Sequence, residues 1–144
     1  MVKLKKVATQ VRQAFENISR QEYPYLKEHS LSGYCCRASA QLFLAAKRHG
    51  IEGVKIVVGH GHVYNVYQGH IVDITATQFG EKDPVYIKPF NEYFKTSWWR
   101  TISKPYDDLF IFSKNECPIN PKLDFPHVMA LDTSEDPFEE FPYM

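Results

Sequence analysis

The sequence lacks a long apolar segment. No apolar run approaches the roughly 18 residues that a membrane-spanning helix needs, so we expect no membrane span. The basic residues near the start resemble the first part of a secretory signal. However, Gln10, Arg12, Gln13 and Glu16 fall where such a signal requires an apolar stretch. The sequence therefore predicts neither a membrane anchor nor a cleaved secretory signal.

An excess of charge of either sign is absent as well. Lys and Arg together number 17, as do Asp and Glu, and the formal net charge is +0. Proteins that bind nucleic acid usually present a strong positive field to the phosphate backbone. We therefore expect no nucleic-acid partner.

Cysteine is scarce, with three residues in the whole chain. An odd number in a chain of this size argues against a framework of disulfides, which small secreted domains use to compensate for a small core. We expect free thiols in a reducing compartment, and this predicts a cytoplasmic protein.

The chain does contain enough apolar material for a folded core. Hydrophobic residues make up 44% of its 144 residues and aromatic residues 15%, which argues against global disorder. A chain of this length fits one domain. We therefore predict a single domain over residues 1–144, in which residues 131–144 form an acidic and aromatic tail.

Two amphipathic patterns in the first third predict helices. Apolar residues recur every three or four positions from Val2 to Ile18, and Pro24 ends the pattern because it disfavours helical backbone before it. A second helix is predicted over residues 35–49, where Gly50 supplies a stop signal. Residues 27–33 between the two helices are predicted to be a loop.

The residues after the second helix predict strands. Runs of β-branched and aromatic residues cover 54–58, 63–67 and 70–74, and Gln68 with Gly69 favours a hairpin between the last two. Residues 85–87 are a further strand candidate, whereas residues 109–112 are apolar without favouring helix or strand. This order predicts an α+β fold, in which N-terminal helices pack on a mostly antiparallel sheet.

Three residues in this layout suit one kind of chemistry. Cys35 lies where a loop enters the second helix, and the N-terminus of a helix lowers the pKa of a cysteine. His62 begins one arm of the hairpin, and Asp73 lies in the other arm, within reach of the imidazole. A thiol nucleophile needs a base, and the base needs a group that orients it. The order Cys, His, Asp therefore predicts a thiol-dependent acyl-transfer enzyme.

The same segment resembles a known superfamily. Residues 35–42 (CCRASAQL) resemble the nucleophile helix of papain-like and transglutaminase-like cysteine enzymes. Residues 62–66 (HVYNV) are similar to their histidine strand, and residues 69–75 (GHIVDIT) resemble the strand that carries their acidic residue. The resemblance covers residues 31–80. It implies a papain/transglutaminase-like core, a catalytic triad of Cys35, His62 and Asp73, and a thioester intermediate.

The resemblance also implies an activity and a partner. The expected reaction is attack on the amide carbonyl of a peptide bond or of a glutamine side chain, by a cysteine protease, deamidase or transglutaminase-like enzyme. It requires a protein or peptide substrate and no cofactor. The small size leaves little room for a long substrate groove, so we expect one particular protein as substrate, as for exported effectors or toxins of this superfamily.

Further candidate residues accompany the triad. Cys36 is the neighbour of Cys35, about 100° away on a helix, and competes with it for the role of nucleophile. The register of the resemblance favours Cys35. Gln78 is a supporting candidate that could donate to an oxyanion or position the substrate. Cys117 is predicted to be a loop residue without a role in the chemistry.

Two other functions remain open at the level of sequence. His60, His62, His70 and Asp73 form a candidate metal set, because alternate strand residues share a face, although no CxxC or HExxH pattern accompanies them. We therefore assign no metal ligand. The other alternative is a catalytically inactive interaction module, since acidic and aromatic tails dock on basic grooves.

Overall fold

The structure is a computed structural model that describes residues 1–59, 61–89 and 102–117. Helices α1 (Val2–Glu22) and α2 (Cys35–Arg48) come first. Strands β1 (Lys55–Gly59), β2 (Val63–Tyr67), β3 (His70–Asp73), β4 (Tyr86–Pro89) and β5 (Ile102–Tyr106) follow, and helix α3 (Leu109–Asn115) comes last. A short 3-10 helix, Ala76–Phe79, follows β3. The predicted α+β class is confirmed.

The five strands form one antiparallel sheet in the order β4-β3-β2-β1-β5. Strands β2 and β3 are the predicted hairpin, in which Asn65 pairs with Val72. Its turn residues Gln68 and Gly69 have φ values of 49° and 70°. A type I′ turn requires positive φ at both central positions, and its twist matches that of the strands it joins. This turn fixes the register of the hairpin.

Helix α2 is the central element of the fold. Every residue from position 38 to position 46 is buried, because α1 packs against one side of the helix and strands β1 and β2 against another. Four of these nine residues are alanines, whose small side chains let neighbouring elements approach closely. Leu42 and Leu44 are fully buried, and each stabilises the fold by about 2 kcal/mol.

Helix α1 presents the apolar stripe that its sequence predicts. Leu4, Val7, Val11, Phe15 and Ile18 are all buried. They lie on one face because they recur every three or four residues. The helix continues to Glu22 and ends directly before Tyr23, as expected from the proline that follows.

Two elements differ from the sequence expectation. Strand β5 was not predicted, because its sequence combines polar residues with Pro105. It lies at the edge of the sheet beside β1, where a strand tolerates proline. Residues 109–112, for which the sequence favours neither helix nor strand, belong to helix α3. Its N-cap residue Asp108 accepts a hydrogen bond from the Ile111 backbone at 3.0 Å. That N-cap was the available signal for a helix.

Some predictions fall on residues that the structure does not describe, namely His60 and the tail at 131–144. In the ranges that are described, none of the helices combines the length and the apolar content that a membrane crossing demands.

Candidate active site

Cys35 is held by contacts between the end of α1 and the start of α2. The helix begins at Cys35 after N-cap Tyr34, and the preceding Gly33 has a φ of 87° that a residue with a side chain rarely adopts. The Tyr34 hydroxyl donates to the Glu22 carboxylate at 2.6 Å, and the Arg37 guanidinium lies 3.5 Å from the same carboxylate. Glu22 therefore ties the first turn of α2 to α1.

His62 lies one residue before β2 and is almost completely buried, with 2% of its surface exposed. Tyr64 stacks against its ring, with 5.8 Å between centroids. Phe79 meets the ring edge-on at 4.8 Å and is itself partly exposed. Two aromatic side chains therefore fix the plane of the imidazole and shield it from water.

Asp73, at the end of β3, holds the imidazole from the neighbouring strand. The hairpin register places Asp73 opposite Tyr64 and diagonal to His62, a distance that long side chains span. Its Oδ2 lies 2.7 Å from His62 Nε2. Its Oδ1 accepts hydrogen bonds from the Thr75 backbone N–H at 2.9 Å and the Thr75 hydroxyl at 3.3 Å. The buried carboxylate is thus satisfied at both oxygens.

The thiol of Cys35 interacts with the imidazole of His62. Because Nε2 of that ring faces Asp73, Nδ1 is the nitrogen that remains for the thiol. Cys35, His62 and Asp73 therefore form one continuous chain of contacts. In this arrangement the thiol, the base and the carboxylate come in the order that the sequence predicts.

The thiol of Cys35 and the imidazole of His62 each favour the charged form of the other. The hydrogen bond from Cys36 and the interactions with His62 outweigh burial and lower the pKa of Cys35 to about 4. Burial disfavours the charge on His62, but the hydrogen bonds with Asp73 and Cys35 outweigh it and raise the pKa of His62 to about 9. Between these values the site holds a thiolate beside an imidazolium.

Ser39 and Asn65 fasten helix α2 to strand β2, and the sequence analysis missed both. The Ser39 hydroxyl donates to the carbonyl of Val63 at 3.1 Å, and the Asn65 amide donates to the carbonyl of Ser39 at 3.0 Å. Both side chains are buried. A serine one helical turn after Cys35, and an asparagine within an apolar strand, were the signals for this contact.

Arg12 fastens α1 to the chain on both sides of the site. Its guanidinium donates to the carbonyl of Ile74 at 2.9 Å, to the Thr77 hydroxyl at 2.9 Å and to the carbonyl of His29 at 3.1 Å. Arg12 is 5% exposed and pairs with Glu16 at 2.7 Å. No sequence pattern indicated this role, because Arg12 lies among the polar positions of an amphipathic helix.

Cys36 and Cys117 lie beside the nucleophile candidate. Cys36 is hydrogen-bonded to Cys117 and to Cys35, and these contacts together with burial raise its pKa. The interactions that shift the pKa of His62 include Cys35, so Cys35 is the better candidate for the thiol that faces the imidazole. Cys117 follows α3 outside any helix or strand, as predicted, and it interacts there with Cys36.

Gln78 lies in the 3-10 helix next to Phe79, the residue whose ring meets His62. The amide nitrogen of Gln78 is buried and has no hydrogen-bond partner among the described residues. It is therefore a donor without an acceptor in the element that follows Asp73. Its supporting role stays a prediction.

The candidate metal set is not assembled in the described ranges. There, no group of three or more His, Cys, Asp or Glu side chains is arranged to hold a metal ion. His62 Nε2 is bonded to Asp73, and His70 Nδ1 donates to the carbonyl of Gln68 at 2.9 Å. His60, the fourth member, lies outside the described residues.

The site thus combines an ionised thiol, an imidazole that can carry a proton, and a buried carboxylate that orients the ring. These are the components of nucleophilic catalysis at a carbonyl group. Comparisons of the chain with family models, curated proteins and solved structures gave no match.

Proposed function

We propose that this protein is a thiol-dependent acyl-transfer enzyme that acts on the amide of a peptide bond or a glutamine side chain. The observation that carries the proposal is that Cys35 interacts with His62, whose imidazole lies 2.7 Å from the carboxylate of Asp73. The reaction proceeds through a thioester on Cys35 and ends as proteolysis, deamidation or transamidation.

Each residue of this chain has one task. The Cys35 thiolate attacks the amide carbonyl. The His62 imidazolium then gives its proton to the leaving amine and takes a proton from the incoming water or amine in the second half-reaction. Asp73 holds the ring in one orientation and stabilises its positive charge without accepting the proton.

The start of α2 supplies a site for the oxyanion. No side chain among the described residues caps this helix, and the first N–H groups of a helix have no partner within the helix. The backbone N–H of Cys35 therefore points toward the carbonyl oxygen of a bound substrate and stabilises its developing charge. The Gln78 amide is the second donor in this proposal.

The placement of these elements supports a papain/transglutaminase-like core. Helix α2, which begins at Cys35, packs on strands β1 and β2, and the base and the carboxylate come from adjacent arms of the following hairpin. The substrate in this proposal is a protein or peptide. We further propose that it is one specific protein, since the described chain is small.

Two assays with defined reagents test the proposal. Iodoacetamide at about pH 6 is expected to alkylate Cys35 and to leave Cys36 largely unmodified, because only a thiolate reacts at appreciable rate. With p-nitrophenyl acetate, a simple acyl donor, we expect a burst of nitrophenolate and an acetyl thioester on Cys35 in the intact mass. Release of ammonia from a glutamine peptide would then distinguish deamidation from the new amino terminus of proteolysis.

Cys35→Ala and Cys36→Ala are the matched pair for both assays. Cys35→Ala is expected to abolish both the alkylation and the burst. Cys36→Ala should retain the burst, but less of Cys35 should be ionised at low pH, because the hydrogen bond from Cys36 that lowers its pKa is lost. Burst kinetics that survive in Cys35→Ala and disappear in Cys36→Ala would show that the nucleophile is Cys36. The absence of any acyl intermediate in the wild type, together with slow alkylation, would overturn the proposal.

A further inference from the structure

The chain brings three free cysteines together from two distant elements. Cys35 and Cys36 open α2, whereas Cys117 follows α3. All three side chains are half-buried and pack against the same hydrophobic core. The Cys36 thiol interacts with each of the other two. A thiol that contacts two other thiols is positioned for exchange between them.

The three thiols differ in reactivity. Peroxides react with thiolates far faster than with thiols. The pKa of Cys35 is lowered, whereas contacts with Cys117 and Cys35 raise the pKa of Cys36. Cys35 is therefore the residue that a peroxide oxidises first, and its neighbour Cys36 carries the proton that a departing oxygen needs.

We propose that Cys36 and Cys117 form a dithiol modification site, which a peroxide converts to a disulfide by way of Cys35. This inference rests on the same Cys35 thiolate as the proposed function. In the first step the thiolate attacks the peroxide, the O–O bond breaks, and Cys35 sulfenic acid and hydroxide form.

Two further steps complete the exchange. The Cys36 thiol attacks the Cys35 sulfur, the S–O bond breaks, and water leaves with the Cys36 proton. Cys117 then loses its proton to the hydroxide and attacks the Cys36 sulfur, which forms the Cys36–Cys117 disulfide and releases the Cys35 thiolate. In total, two thiols and one hydrogen peroxide give one disulfide and two waters.

Geometry drives the last step forward. Adjacent Cα atoms are about 3.8 Å apart, which is shorter than the roughly 4.4–6.8 Å that a relaxed disulfide spans. The Cys35–Cys36 bond is therefore strained, and transfer to Cys117 relieves the strain. The product also lacks the Cys36 S–H that donates to Cys35. The oxidised protein keeps its nucleophile but holds it as a weaker thiolate, until a reductant restores the dithiol.

The test is peroxide oxidation of the full chain followed by tryptic mapping. Trypsin releases Cys35 and Cys36 together in residues 28–37 and Cys117 in residues 115–122. We expect hydrogen peroxide to link these two peptides in the wild type, with loss of two hydrogens from the intact mass. The link should be absent in Cys36→Ser, in which dimedone instead traps Cys35 sulfenic acid, and in Cys117→Ser, in which oxidation stops at the Cys35–Cys36 disulfide.

Cys35→Ala tests whether the peroxide reacts first with Cys35 or oxidises Cys36 and Cys117 directly. In this variant hydrogen peroxide should form the link at least tenfold more slowly, while diamide, which oxidises dithiols directly, still forms it. If peroxide forms the Cys36–Cys117 link at equal rates with and without Cys35, the proposed route through Cys35 is wrong. Over-oxidation of Cys35 in the wild type as fast as in Cys36→Ser, without linked peptides, would overturn the site. The acyl-transfer proposal is judged separately, because alkylation of Cys35 at about pH 6 needs neither Cys117 nor an oxidant.

Discussion

At the scale of single residues, the orientation of one imidazole decides what the site can do. The ring of His62 packs against Tyr64 and Phe79, and its Nε2 is hydrogen-bonded to Asp73. This leaves Nδ1 as the ring nitrogen that is available to Cys35. The ring cannot turn away without leaving a buried carboxylate unpaired, which costs several kcal/mol.

Asp73→Asn tests this coupling. An uncharged amide should lower the pKa of His62, since burial then dominates, and should raise the pKa of Cys35, which loses its imidazolium partner. We expect acyl transfer to fall by about 100-fold or more, as when a triad carboxylate is replaced by its amide. The measurements are the ultraviolet absorbance of the thiolate against pH and the rate of alkylation.

The fold should survive this change, because asparagine has nearly the same shape as aspartate. Urea unfolding provides the control. A variant that unfolds, with the Cys35 pKa unchanged wherever it is still folded, would identify Asp73 as a purely structural carboxylate.

At the scale of elements, the site depends on how α1 is attached to the segment after β3. Arg12 makes this attachment through the carbonyl of Ile74 and the hydroxyl of Thr77. Replacing it would leave buried carbonyl groups without donors, and each such group costs about 1–3 kcal/mol. The attachment therefore contributes to stability as well as to the placement of Asp73.

Arg12→Met is expected to reduce the free energy of unfolding by about 3 kcal/mol, because methionine keeps the apolar stem and removes every donor. Arg20→Met is the matched control on the same helix. Arg20 also approaches Glu16, at 3.5 Å, but its side chain is 55% exposed, and we expect a change below about 0.5 kcal/mol. Equal losses in the two variants, measured in urea, would contradict the role given to Arg12.

Sequence patterns predicted the elements whose signals are local. The stripe of α1, the stop after α2 and the Gln68–Gly69 turn all lie within the element they define. The Cys35, His62 and Asp73 set was proposed for the same reason, since a helix start and one hairpin contain all three residues.

The remaining features depend on contacts between distant parts of the chain. Strand β5 exists because β1 offers it a free edge. Arg12 reaches partners 62 and 65 residues away, and Cys36 at the start of α2 interacts with Cys117 after the last helix. No local pattern encodes such pairings, so sequence reasoning could not place them.

At the scale of the whole molecule, the charged pair links stability to pH. The unfolded chain has ordinary pKa values of 9.0 for Cys35 and 6.5 for His62, against about 4 and about 9 in the fold. Cys35 alone stabilises the fold increasingly as pH rises above its folded pKa. His62 alone stabilises it below its unfolded pKa, and this contribution is lost as pH rises toward its folded value.

The two contributions combine into a specific profile. From about pH 4 to 6.5 the unfolded chain binds one more proton than the folded one at these groups, so the stability from this pair should rise with pH. From 6.5 to 9 the proton counts are equal, and the contribution should be flat. The measurement is the free energy of unfolding in urea at several pH values.

Cys35→Ala provides the comparison that isolates the pair from other titrating groups. Without the thiolate, His62 retains Asp73 as its partner, so the variant should instead lose stability as pH rises above 6.5. The difference between wild type and variant should increase steadily from acid to alkaline pH. Parallel profiles for the two proteins would show that no thiolate–imidazolium pair exists in the fold.

The short connection between His62 and Asp73 has a consequence for the order in which the molecule folds. The two residues are 11 positions apart, and hairpins form within about 1–10 μs. We expect the imidazole and the carboxylate to meet in an early folding event, before α2 docks on the sheet. Cys35 joins them only when long-range packing is complete, and so the nucleophile is activated last, after the rest of the protein has become compact.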